Sequence, residues 1–162
     1  SAIHDLVRVG LVREQTAWML EILRDPAVTG TVIVAVPEEM PVTETIELSQ
    51  RLEAETDVDL AAVVMNRVLP ELFGARVEAV FDRLTETDST DLLVDRVGRP
   101  VRRVLEGADM AVRLRRSRAA HIGRLRDGLD AAVPMLFLPE MFSRAQGIRA
   151  THMTAEALGD EL

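Results

Sequence analysis

The 162-residue chain predicts an α/β fold, with a partial, mostly parallel sheet of three strands and helices on both faces. A helical subdomain is expected over about 71–130. Three observations predict this. Valine-rich runs of strand length, "TVIVAV" and "DLAAVVMNRV", lack polar alternation, as strands covered on both faces do. A helix-length, Glu-rich amphipathic stretch separates them, which suits a right-handed crossover and parallel pairing. A third apolar run, "VPMLFLPE", follows a long stretch with helical periodicity.

In chain order, residues 3–25 read as an amphipathic helix, with Val9, Val12, Thr16, Met19, Leu20 and Leu23 at helical spacing. "RDPAVTG" closes it with Pro26 and Gly30. Residues 31–36 form the first strand. Residues 43–56 form a surface helix, with Thr43 as its N-cap and Ile46, Leu48 and Leu52 on its apolar side. The second strand is 60–66. The helical stretch 71–130 is broken at "TETDST" (85–90) and "GRP" (98–100). Its second part carries an apolar stripe through Val101, Leu105, Ala108, Val112, Ala119, Ile122, Leu125 and Leu129, interrupted at Arg115. The third strand is 134–138, ended by Pro139, and a last short helix has Thr151 as its cap. With no repeat, low-complexity tract or linker, residues 1–162 read as one unit. Three strands are few for a parallel sheet, and its outer strands would leave open edges, so further strands are expected from elsewhere.

Composition excludes several chemistries. There is no cysteine, hence no disulfide, thiolate metal site or cysteine nucleophile. All 19 basic residues are arginine, so no lysine can serve a phosphate loop, a Schiff base or a general base. The net charge of −8 argues against a nucleic-acid binder. Asp5, Arg8, Arg13 and Glu14 stand where a secretory h-region would be, and no apolar run approaches the ~20 residues of a membrane span. A cytoplasmic protein that is not integral to a membrane is the expectation.

The strand tips carry the candidate chemistry. The first strand ends "AVPEEMP", the second "MNRVLP" and the third "FLPEMF". If the strands are parallel and adjacent, Pro37, Glu38, Asn66, Arg67, Pro139 and Glu140 converge on one rim, where α/β proteins bind ligands. An Asn amide offers a donor and an acceptor in one plane, as the edge of an adenine requires. Prolines also end strands for steric reasons, so the same residues fit plain punctuation.

"PEEMPVTETIEL", "VVMNRVLPELF" and "VPMLFLPEMF", in that order and spacing, resemble the family of arsenical-pump-driving ATPases and the related ATPases that target tail-anchored membrane proteins, in particular an actinobacterial branch. The resemblance runs from near Asp5 to the C-terminus. It implies the C-terminal part of a deviant P-loop NTPase fold, working in the full-length protein as a nucleotide-gated homodimer that binds ATP or ADP with Mg. A membrane-protein client or a transporter is the implied partner. Asn66 would lie against adenine, Arg67 beside it, and the loop from Leu138 to Phe142, with Pro139, Glu140 and Met141, would close over the base. The family's phosphate loop, its magnesium-binding residues and its Asp-containing switch match nothing here. The chain should therefore contribute no catalytic or metal-binding residue and be inactive without a missing N-terminal ATPase half. Where many members carry an Arg soon after the Glu-Thr pair, Glu47 follows Glu44 and Thr45, and the Cys-x-x-Cys zinc clip of eukaryotic members is absent.

An alternative class is a non-enzymatic helical interaction module on an α/β scaffold. It would use the nine arginines from Arg99 to Arg126, which also fit a helix surface paired with the protein's own carboxylates. Met110, Val112 and Leu114 hint at a client groove, although core packing is the favoured expectation, as it is for Trp18. His4, His121 and His152 lack metal-ligand spacing, and Ser49, Ser89, Ser117 and Ser143 lack nucleophile-elbow glycines.

Overall fold

The computed structural model describes residues 11–71, 73–141 and 147–162. Val9, His4, Phe142 and Ser143 lie outside the described residues. Elements follow the order α1 (Leu11–Arg24), β1 (Thr31–Ala35), α2 (Glu39–Glu55), β2 (Leu60–Val68), α3 (Ala75–Leu84), α4 (Thr87–Val97), α5 (Pro100–Gly128), β3 (Met135–Pro139) and α6 (Ile148–Gly159). The strands form one parallel sheet in the order β1-β2-β3, so the α/β expectation holds.

Register fixes which side chains meet. Ile33 pairs with Val63 and Ala35 with Met65, while Val63 pairs with Met135 and Met65 with Phe137. Because side chains alternate along a strand, these six share one side of the sheet. Val42 of α2 and Leu125 of α5, both fully buried, close over that side, with Ile46, Ile122 and Leu129 packed around them. Two consecutive crossovers advancing in one direction put both helices on the same side, as right-handed connections require. Gly128 lets α5 approach α2, since a Cβ there would stand 2.7 Å from Ile46 Cδ1.

β1 was expected to be covered on both sides, and it is not. Val32 and Val34, on the side away from the core, are 51% and 61% exposed. The β-branched run reflects strand propensity on both sides, whereas burial depends on which helices lie across it. Trp18 of α1, also expected in the core, is 62% exposed, with Val12, Met19 and Leu23 exposed on the same helix.

Two caps differ from expectation. α2 begins at Glu39 rather than near Thr43, because Pro41 falls in the first turn, where a missing N–H costs nothing. The Thr43 hydroxyl instead donates back to the Glu39 carbonyl at 2.8 Å. Thr151 likewise lies inside α6, donating to the Gly147 carbonyl. The predicted break at 85–90 shrinks to Thr85–Glu86, since α4 starts at Thr87. Buried Thr90 ties that helix to its predecessor through the Leu84 carbonyl at 3.0 Å.

Candidate functional site

Parallel pairing brings the carboxyl ends of the three strands together. The pairing of β2 with β3 is not even. Met65 pairs with Phe137 and the next partners are Val68 and Pro139, so β2 uses three steps where β3 uses two. The extra residue makes a β-bulge at Asn66–Arg67, a device that re-aims side chains at the end of a ladder. Arg67 carries the strain of it. Its φ of 60° lies in the left-handed region, and it is the non-glycine residue there among the described residues. Glycine is the usual occupant of such a position.

Three interactions hold Arg67 in this conformation. Its backbone N–H donates to Asn66 Oδ1 at 2.8 Å. Its Nε donates to Glu140 Oε2 at 2.7 Å, joining the tip of β2 to that of β3. Its carbonyl accepts from Arg118 Nη1 of α5 at 3.4 Å. Arg118 also reaches toward Glu38 at the tip of β1, at 3.8 Å. One guanidinium from α5 and one from β2 thus span all three tips. The Glu140 carboxylate is 17% exposed and Arg118 15%, so this ion-pair chain is shielded on the sheet side while Arg67 faces solvent.

The predicted site residues therefore divide. Arg67 contacts both Asn66 and Glu140. Pro139 lines a neighbouring hollow of about 340 Å³ with Val68, Leu69, Pro70 and Phe137, closed by Ala157, Asp160 and Glu161 of the C-terminal segment. Met141 follows Glu140 and is half-buried. Asn66 is half-buried and is not part of this lining. A larger cavity, about 580 Å³, lies at the other end of the sheet against Ser49, Glu53, Asp59, Leu60, Gly128 and Asp130. Sequence reasoning missed Arg118. The signal was the break of the α5 stripe at Arg115, because Arg118 lies one turn further along the same face. Both side chains pack their stems among apolar neighbours (Val68, Leu69, Ala119 and Ile122).

Four other arginines of α5 have carboxylate partners. Arg116 meets Glu78 and Asp82 of α3 at 2.7 and 2.9 Å, and the hydrogen bonds it donates to Asp82 and Glu78 raise its pKa. Arg102 pairs with Asp91, Arg113 with Asp109 and Arg115, loosely, with Glu71. Arg124 donates to the Thr43 hydroxyl, and Arg126 stands over the Phe137 ring. Part of the arginine surface is thus paired with the protein's own carboxylates. Met110, expected in the core, is 73% exposed, and Leu114 is also exposed, while Val112 between them is buried. Among the described residues, no helix is long and apolar enough to cross a membrane.

The fold and its rim define the class first: an α/β protein with a parallel sheet whose strand ends present an amide and a guanidinium. The comparison with known families then gives a narrower likeness. Residues 6–85 match the model of the anion-transporting ATPase family, ArsA-type. The matched segment contains α1, β1, α2, β2 and α3, with Asn66 and Arg67, and stops before α4, α5 and β3. Over these residues the chain is similar to that ATPase family. No curated protein matches it.

Proposed function

We propose that this chain forms the base-binding wall and helical subdomain of an ArsA-type ATPase, and that Asn66 hydrogen-bonds the nucleotide base. The observation that carries the reading is the bulge at Asn66–Arg67, which sets a half-buried amide beside an exposed guanidinium where three parallel strands end. Pro139, Glu140 and Met141 shape the neighbouring wall. The residues present fit the base end of ATP or ADP and not its phosphate and magnesium end, because the chain contains no lysine. Phosphate loop, metal ligands and hydrolysis then come from outside these residues. Exposed Val32 and Val34 on β1 suit the docking of such a half, and a homodimer acting on a membrane-protein client in the cytoplasm follows from the family likeness alone.

The test is titration of ADP into the chain and into its Asn66→Ala variant by calorimetry. Loss of one hydrogen bond is expected to weaken binding roughly three- to tenfold. Equal affinity of the two proteins removes Asn66 from the pocket. The second reading, a helical interaction module, loses part of its Arg-rich surface to internal pairing but keeps the exposed apolar side chains of α1. It is favoured if ADP does not bind at all.

A further inference from the structure

We infer that Glu140, acting through Arg67, fixes the orientation of the Asn66 amide and so sets which base the pocket prefers; this rests on the base-pocket reading above. A carboxamide can turn over about its last torsion, exchanging donor for acceptor, and an unpinned one therefore discriminates poorly between base edges. Here the exchange is blocked. A backbone N–H can only donate, so the atom facing Arg67 N at 2.8 Å must be the oxygen. The oxygen then sits on the backbone side, and Nδ2 points away from it in a fixed sense. Adenine offers a ring acceptor beside an amino donor, whereas guanine offers two acceptors on the same edge. An amide held in one sense distinguishes those patterns, because its donor and acceptor arrive in a set order.

The pin depends on backbone conformation at a residue that resists it. A left-handed φ is unfavourable for a side-chain-bearing residue, and Arg67 remains there because its side chain is held by Glu140 at 2.7 Å. Glu140 is itself anchored, since its backbone N–H donates to the Val68 carbonyl at 2.8 Å. The bulge, the ion pair and the amide thus form one unit. Arg67 and Glu140 are positioning residues, and Asn66 is the group that touches the ligand.

This predicts an unusual ranking of substitutions. Arg67→Ala loses the ion pair and keeps the Cβ that opposes φ of 60°, so the backbone relaxes and the pin is lost. Arg67→Gly also loses the ion pair but adopts the conformation freely. Asn66 is the sole asparagine in the sequence, so a chain labelled with ¹⁵N-asparagine gives one side-chain amide signal. Without ligand, that signal should be shifted from the free-amide position in the parent and in Arg67→Gly, and should move toward it in Arg67→Ala. Titrations with ADP and GDP should show a preference for ADP that falls roughly three- to tenfold in Arg67→Ala, is kept within about twofold in Arg67→Gly, and falls partway in Glu140→Gln. Equal loss in the alanine and glycine variants overturns the inference, as does a free-amide signal in the parent chain. A shifted amide with no response to either nucleotide overturns the base-pocket reading and, with it, the selectivity role.

Discussion

The two sides of β1 have nearly the same composition and opposite fates. Ile33 and Ala35 lie under α2 and α5 in a closed core, while Val32 and Val34, one residue away, face solvent. A β-branched side chain raises strand propensity on either side of the sheet, so its presence says that a residue is in a strand. Whether it is buried is decided by the path of the connecting helices, and both crossovers pass over one side. The core side supplies the stability, and the exposed side remains available for association.

Substitutions can break that contrast. The largest effect is expected from Leu125→Ala, which empties a fully buried position between α5 and the sheet. It should cost about 2–5 kcal/mol in urea unfolding. A loss below ~1 kcal/mol would mean that α5 does not close the core. A sharper comparison places one substitution on each side. Val63→Thr puts a hydroxyl into the core and should cost about 1–3 kcal/mol, whereas Val34→Thr should stay within ~0.5 kcal/mol. Similar costs would show that the second side is covered in solution.

The smallest effect belongs to the solvent surface of α2, where Arg51 and Glu55 pair one turn apart at 3.2 Å. The hydrogen bond from Arg51, then its charge, holds the Glu55 carboxyl below its ordinary value. A carboxylate depressed in the folded state stabilises above its unfolded pKa, and that contribution disappears as pH falls through the folded pKa. The stability difference between the parent and Glu55→Gln should therefore shrink on acidification below the ordinary carboxylate range. A difference that grows there would reverse the sign assigned to the pair.

Much of the fold was legible because strand and helix periodicities are local. The second strand was read as 60–66 and runs to Val68 because a bulge lets pairing resume beyond Arg67, an event no local pattern announces. Asn66, Arg67 and Glu140 were legible as strand-tip residues, and their meeting through Arg67 followed from parallel order. Arg118 was not, because nine arginines look alike until the crossing of α5 over the sheet selects which one turns inward. Trp18 and Met110 mislead for the same reason, since an apolar residue at helical spacing names a face and not what covers it.

The two margins of the sheet are also unequal. At β3 the outward N–H of Phe137 is taken by the Glu161 carboxylate at 2.9 Å, beside α6, whereas at β1 the described residues form a ladder on one flank only. A ribbon with one guarded flank leaves the other for an added strand. Head-to-tail propagation into a fibril would require both flanks to be free.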